Sequence, residues 1–499
     1  MALMGIDVGT TGVKCTIADT RGRVLSQSYR EYETVSPQYG YYELDPDLVW
    51  EETKTVIREA AEKVREPILG ISVSSFGESF AAVDGEGNTL YPSMVYTDVR
   101  GVEETEELCR NIPAETITEK TSLKPSFTYS LPKLMWLRKH QPEIFGKIKK
   151  IYLYGSFILY KLGGVDAIDY SLAARSMALN INTNTWDEDI LQAAGIPLVI
   201  FPALYPMGTF VGTVFPDLAG ELGLSPDSKL VVGAHDQICA AIGSGTHEVG
   251  TAMDGMGSVD CIAPVFTKEV DVALNAQNNY PLLPYLGDTY TTYAYIYDGG
   301  TLLRWYRDNF CSYEREEAEQ MGKSVYALLD ERAAKEPTDL LFLPHVSGSA
   351  MPYMDVFSKG ILVGVDRSTD KARLYRALLE GVAYELRVNL ELLEQAGIHI
   401  HTLIACGGGA NSDIWLQIKA DVFNKKIVAV KNKEAGTLGV IMIAGVAAGV
   451  FSDFKQAMKE IALPGKTFLP NPEYAAKYEK NYQKYKKIYR LSKEILEDA

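Results

Sequence analysis

Apolar and polar positions along this chain switch repeatedly between a strand-like and a helix-like period. Leu3 to Ile6 is a short apolar run and Val13 to Ala18 a second one. Between them lies Asp7-Val8-Gly9-Thr10-Thr11-Gly12, a glycine turn with two hydroxyls and a carboxylate, so the pattern predicts a hairpin. Val24 to Tyr32 predicts a third strand. From Asp47 to about Lys63 the apolar residues Leu48, Val49, Val56, Ile57 and Ala60 fall on one helical stripe. Ile68 to Ser74 returns to a strand that delivers Ser75-Phe76-Gly77-Glu78-Ser79 at its carboxyl end, and Tyr129 to His140 predicts a helix with Pro132 in its first turn. The Thr/Asn cluster from Asn180 to Asp187 reads as a loop. Leu230 to Gly233 is another strand, and it hands Ala234-His235-Asp236-Gln237 to the small-residue stretch Ile238 to Gly245.

Near Gly250 the pattern restarts. Ala252 to Ile262 (AMDGMGSVDCI) echoes Gly5 to Ile17: strand, aspartate, glycines with a hydroxyl residue, strand. Ala372 to Glu394 predicts a long helix. Leu403 to Cys406 is a strand stopping at Gly407-Gly408-Gly409-Ala410-Asn411-Ser412, after which a helix follows with Trp415, Ile418 and Val422. Gly436 to Gly449 is a small-residue helix suited to close packing, and Tyr474 to Leu496 a Lys/Tyr-rich terminal helix. Strands alternating with helices indicate α/β architecture, and the restart indicates two domains, 1–245 and 246–499.

Charge and cysteine usage narrow the function classes. The 499 residues carry a formal net charge of −16, which disfavours nucleic acid and anionic membranes as partners. No apolar run reaches the roughly 18 residues of a membrane span, and the first residues lack a basic, apolar leader pattern. The six cysteines have no metal-ligand spacing and read as buried free thiols, so a cytoplasmic protein is expected.

Several polar residues stand where chemistry would need them. At the first hairpin, glycine N–H groups, Thr10, Thr11 and Lys14 could grip a phosphate while Asp7 holds a cation; the same residues also make an ordinary glycine hairpin. Glu78 at a strand end is a substrate acceptor or a solvated loop carboxylate. Asp98 and Arg100 stand two apart at another strand end. Asp236 precedes small apolar residues; it is a partly shielded general base or a plain helix cap. The strand–glycine–helix layout at Gly407 suits a nucleotide but has neither the dinucleotide nor the P-loop spacing.

Together these motifs resemble the FGGY family of carbohydrate kinases. Asp7 to Lys14 is similar to the family's first phosphate motif, Gly257-Ser258 to the second, Gly407 to Asp421 to the adenosine motif and Glu434 to Gly439 to its sequel. Gly360 to Val365 followed by Leu374 to Glu380 resembles the later family signature, with Arg373 a departure. The segment ending Lys133-Leu-Met-Trp136-Leu resembles the earlier signature, with Thr128 a departure. The resemblance implies a two-domain actin/hexokinase-like (ribonuclease H-like) fold, each domain a mixed β-sheet with flanking helices. It also implies an ATP- and Mg2+-dependent phosphotransferase acting on a small ketose or polyol.

Carried over residue by residue, Asp236 is the implied catalytic base, and Asp7 with Asp236 the implied metal ligands. Gly9, Thr10, Thr11, Lys14, Gly257, Ser258, Gly300, Gly408, Gly409 and Ser412 are the implied ATP contacts, and Gly77, Glu78, Asp98, Asp236 and Gln237 the implied sugar contacts. Glu78 and Asp236-Gln237 resemble glycerol kinases, His235-Asp236 resembles fuculokinases and rhamnulokinases, and the chain departs from xylulokinases at Ser75-Phe76-Gly77-Glu78. A glycerol- or erythritol-type kinase and a nucleotide-gated regulator without catalysis are the alternatives, and an actin-like assembly protein a further one. A small molecule is the expected partner, with a homodimer as the expected assembly.

Overall fold

The computed structural model describes residues 1–431 and 434–496, so Asn432, Lys433 and the last three residues of the expected 246–499 domain lie outside the described residues. The chain divides into two compact units. One comprises Met1–His247, Pro281–Thr291 and Glu434–Ala462; the other comprises Glu248–Tyr280, Thr292–Lys433 and Leu463–Ala499.

The first unit is built on a six-stranded mixed sheet. Its strands are β1 (Ala2–Val8), β2 (Gly12–Asp19), β3 (Val24–Glu31), β4 (Ile68–Ser75), β5 (Phe210–Thr213) and β6 (Lys229–Val231), in the order β5-β6-β4-β1-β2-β3. β1 and β2 form the expected antiparallel hairpin, while β4 runs parallel to both β1 and β6. Alternation along β1 explains how it is covered on both faces. Ala2, Met4, Ile6 and Val8 share one core with Val49, Val56 and Ile57 of the helix Pro46–Ala61, which Asp45 caps through the Asp47 N–H. Gly5 points the other way, where a Cβ would lie 3.2 Å from the Thr437 carbonyl oxygen of the helix Ala435–Ala447.

That second helix also meets the helix Asp236–Ser244 backbone to backbone. A Cβ on Gly243 would collide with the Ala435 carbonyl, and one on Gly439 with the Cys239 carbonyl. The small residues expected to pack closely do so here because nothing larger fits between the two helices.

The second unit repeats the opening arrangement. Its strands are β7 (Thr251–Met256), β8 (Asp260–Phe266), β9 (Ala294–Ile296), β10 (Thr402–Cys406), β11 (Lys426–Val430) and β12 (Pro464–Phe468). β7 is antiparallel to β8 and parallel to β10, as β1 is to β2 and β4, and the sheet continues through β11 to an antiparallel β12. β9 lies antiparallel to β8. The long helix spans Lys371–Gln395, and Asp413–Phe423 follows the glycine turn. Lys419 of that helix is inaccessible to solvent, its Nζ 2.8 and 2.9 Å from the Asp254 carboxylate and 2.7 Å from Asp260 Oδ2.

Two local expectations change. Asn180 to Asp187, expected as a loop, contains a short antiparallel pair, Leu179–Asn180 with Thr185–Trp186, closed through the left-handed Asn184 and an Asn180 to Asp187 side-chain hydrogen bond. The terminal helix breaks into Pro472–Tyr485 and Ile488–Leu496. None of the six cysteines is in a disulfide, five of them are buried, and no helix among the described residues is long and apolar enough to cross a membrane.

Three substitutions test this packing by urea unfolding. Gly439→Ala is expected to destabilise by about 1–3 kcal/mol or more, the cost of overpacking, and to lower turnover with it. Gly436→Ala, where a Cβ meets nothing within 4 Å, should be neutral or slightly stabilising. Lys419→Met strands two buried carboxylates and should cost about 3–5 kcal/mol; a loss below about 1 kcal/mol would remove Lys419 as a structural counter-charge.

Candidate active site

The parallel strands of the first unit end at one edge, the place where ligands collect in α/β sheets. Asp7 at the end of β1 stands in register with Lys14 on β2 and with Ser74 on β4. Ser74 Oγ donates to Asp7 Oδ1 at 2.5 Å, and Lys14 Nζ pairs with Glu434 Oε2 at 3.0 Å. Burial, opposed by the Ser74 hydrogen bond and aided by the nearby Asp236 charge, pushes the Asp7 carboxyl up to about 6. The hairpin tip is braced from behind: the Gly9 N–H donates to the Gly12 carbonyl (2.9 Å) and the Tyr32 hydroxyl to the Gly9 carbonyl (2.6 Å). Thr10 is half-buried and Thr11 exposed at the tip.

A third strand end supplies Asp236. His235, bridged in parallel to Ser75, is the N-cap, and Asp236 opens the helix. The Gln237 N–H donates to Asp236 Oδ1 at 2.6 Å and to His235 Nδ1 at 3.3 Å. A helix N-terminus favours a carboxylate, yet burial outweighs it here and, opposed by the Gln237 N–H, pushes the Asp236 carboxyl up to about 7. The side chain nevertheless keeps 37% exposure, so a reactant can reach it. Burial pushes His235 down to about 4. The 3.0 Å approach of its Nδ1 to Asp236 Oδ1 is therefore a contact of a neutral imidazole rather than an ion pair. Gln237 is half-buried beside it.

Glu78 lies close to this pair. It is buried in a left-handed conformation (φ 68°), with its carbonyl accepting from Ser130 Oγ at 2.6 Å and its Oε1 accepting from Arg175 Nε (2.6 Å) and in ion-pair contact with Arg175 Nη2 (2.5 Å). Gly77 is required by the same contact, since a Cβ there would lie 2.6 Å from Arg175 Cγ. Asp98 is placed differently from Glu78: its Oδ1 accepts from the Arg100 backbone N–H and Nε, its Oδ2 from the Tyr42 N–H (2.7 Å) and Arg100 Nη2 (2.5 Å), and it is fully buried. Arg100 in turn lies 4.2 Å from the Tyr41 ring centroid and 5.3 Å from that of Trp136.

Sequence reasoning missed the segment 169–175, and it placed Glu434 at the head of the adenosine-motif sequel without foreseeing its pairing with Lys14. Asp169 caps the short helix Tyr170–Ala174, Ser171 Oγ donates to Asp169, and the His235 N–H donates to that same hydroxyl at 3.0 Å. Burial, against these hydrogen bonds, pushes Asp169 up to about 6. The available signal was Arg175 itself, one arginine inside the small-residue run Ser171 to Ala178.

In the second unit the implied nucleotide residues also converge. Gly257 and Ser258 form the tip between β7 and β8; the Gly257 carbonyl accepts the Gly300 N–H (2.8 Å) and the Ser258 carbonyl the Thr301 N–H (3.1 Å) at the start of the helix Gly300–Phe310. Gly407 is left-handed with no room for a Cβ beside the Met256 carbonyl, and Gly409 packs against Met256 and Trp415. Gly408 is open, with nothing within 4 Å of a Cβ. Ser412 caps the following helix through the Trp415 N–H, so its hydroxyl already has a structural partner.

Known proteins resemble this chain along most of its length. Residues 2–243 match the N-terminal domain of the FGGY family of carbohydrate kinases, and residues 272–448 its C-terminal domain. The chain is 26% identical over 496 residues to the xylulose kinase of Bacillus subtilis (strain 168), covering 99% of this chain and 97% of that protein. It is 29% identical over 468 residues to the glycerol kinase of Thermococcus onnurineus (strain NA1), covering 92% and 91%. The crystal structure of a ligand-bound xylulose kinase from Lactobacillus acidophilus has the same fold, with a TM-score of 0.87 over 98% of both chains at 24% identity. With both family domains matched in order along a two-domain α/β fold of the actin and hexokinase kind, this chain belongs to the FGGY family of carbohydrate kinases.

Proposed function

We propose that this kinase transfers the γ-phosphate of ATP to a terminal hydroxyl of a small ketose or polyol, with Asp236 as the general base. The observation that carries this reading is the Asp236 carboxyl: raised to about 7 by burial, open to a reactant, and in electrostatic contact with Asp7 and Glu78. The acceptor oxygen attacks the γ-phosphorus in line, the bond to the β-phosphate oxygen breaks, ADP leaves, and the hydroxyl proton passes to Asp236. Thr10, Thr11, Gly9 and Lys14 would hold the phosphoryl group, while Gly257, Ser258, Gly300, Gly408, Gly409 and Ser412 would line the ATP site. Glu78, Gly77 and Gln237 would surround the acceptor, whereas Asp98, expected as a further contact, is fully buried with both oxygens taken by Arg100 and the Tyr42 N–H and would act only by holding Arg100.

The residues at the β1 end fit a divalent cation. The Asp236 charge raises the cost of ionising Asp7, a conflict that a cation removes, and magnesium characteristically takes one or two carboxylates together with phosphate oxygens. Bound there, Mg2+ would neutralise charge on the transferring phosphoryl group. A cytoplasmic location, where ATP is at hand, goes with this reading. A glycerol- or erythritol-type acceptor is the second reading, favoured by the 29% identity to a glycerol kinase.

The test is ADP release from ATP and magnesium over xylulose, ribulose, fuculose, rhamnulose, erythritol, glycerol and gluconate. One dominant acceptor supports the proposal and names the sugar; bound ATP with no turnover on any of them favours the regulator. Asp236→Asn is expected to keep ATP binding and to lower kcat by about 10² to 10⁴, the range for losing general-base catalysis. Because the base must be ionised, kcat/KM should climb with pH and level off above about 7; a flat profile between pH 5.5 and 8 would place the base elsewhere. The stability change has the opposite sign. The folded pKa lies above the unfolded value of about 4, so the folded protein keeps a proton that the unfolded chain loses, and stability falls as pH rises from about 4 to 7. Asp236→Asn should accordingly melt above the wild type at pH 8, with the difference vanishing toward pH 4.

A further inference from the structure

The turn at Gly77-Glu78 has an unusual backbone for a side chain of this size. A non-glycine residue with positive φ is uncommon and strained, so it persists where its surroundings over-determine it. Three contacts do so at Glu78. Ser130 Oγ holds its carbonyl, the absent Cβ of Gly77 admits the stem of Arg175, and the Arg175 guanidinium places two nitrogens on Oε1. Burying this carboxylate requires a counter-charge, and Arg175 supplies it from within the same buried region.

We propose that Arg175 is the positioning residue of the acceptor pocket: it holds the Glu78 turn and aims Oε2 as the oxygen that accepts a hydroxyl of the acceptor. A carboxylate has about four lone-pair sites, and both guanidinium contacts fall on Oε1, which orients the second oxygen without occupying it. Arg175 also lies 5.0 Å from the Tyr129 ring centroid, which fixes the plane of the fork from the other side. The pair is near the reacting centre, because the charges of both Glu78 and Arg175 act on Asp236 and His235. The segment that carries Arg175 performs a second alignment: Ser171 receives the His235 N–H and so sets the start of the helix bearing the base. One stretch, 169–175, thus registers the acceptor hydroxyl site against the proton acceptor. The chemistry recognised is a neutral hydroxylated carbon chain, one hydroxyl at Asp236 and another at Glu78.

This inference rests on the acceptor pocket proposed above, so its test has an arm that needs no acceptor. Hydrogen–deuterium exchange of the full chain is compared among wild type, Arg175→Met, Arg175→Lys and Glu78→Gln. Arg175→Met should speed exchange in peptides covering 76–80 by about tenfold or more, with Arg175→Lys recovering part of the protection; ATP affinity, read with a fluorescent ATP analogue, serves as the fold control. Unchanged exchange at 76–80, or protection lost evenly across the first unit, overturns the proposal. In the kinetic arm, D-xylulose and glycerol are the probes. Arg175→Met and Glu78→Gln should raise KM by about tenfold or more with a smaller change in kcat, the pattern of lost binding common to ground and transition states. A loss in kcat with KM unchanged overturns the assignment. If the wild type phosphorylates neither probe, the choice of substrate has failed and the exchange result alone decides Arg175.

Discussion

A carboxylate taken out of water must find a counter-charge or give up its own charge, and the two glycine hairpins of this protein meet that constraint in opposite ways. The sequence echo aligns Asp254 on β7 with Asp7 on β1. In the second unit Lys419 stands on Asp254 and Asp260, all three sealed from solvent, so the charge is closed off and serves to tie the Gly257-Ser258 hairpin to the helix after the glycine turn. In the first unit Lys14, the register partner of Asp7, is paired with Glu434, and among the described residues Asp7 receives a hydrogen bond from the Ser74 hydroxyl alone, beside a second raised carboxyl. The first hairpin therefore keeps the uncompensated carboxylate that the proposed cation and phosphate would need, whereas the second is neutralised by the fold itself.

Packing makes the first arrangement stiff. The helix that begins at Asp236 touches the helix Ala435–Ala447 through glycine backbone, and that helix lies on Gly5 of β1, two residues from Asp7. Close-packed interiors transmit small displacements rather than absorbing them. The carboxylates of Asp7 and Asp236 are consequently fixed by one set of contacts within the first unit, as a site that must align a hydroxyl, a phosphoryl group and a base requires.

Much of this was legible in local patterns. The first hairpin, the strand ends before Glu78 and Asp236, the glycine turn at Gly407 and the small-residue helix at Gly436 all announce themselves through neighbouring residues. At Asp236 the sequence left a base or a helix cap open, and it is the structure that gives the N-cap place to His235 and makes Asp236 the first helical residue. Arg175 was not legible, because its partner Glu78 is 97 positions away, and Glu434 lies 420 positions from Lys14. Asp98 shows the same limit from the other side. Its two-residue spacing from Arg100 was visible, but the spacing did not say that the arginine would take both oxygens.

The sequence by itself determined the order of strands and helices, the repeat of the glycine hairpins and the family, because hydrophobic period and turn chemistry act between residues a few positions apart. Tertiary structure alone decided which of the acidic residues keep a usable charge. Ionisation depends on how much water is removed and which groups from distant segments replace it, and those quantities exist only once β1, β4 and β6 end at one edge and the segment 169–175 has packed against them.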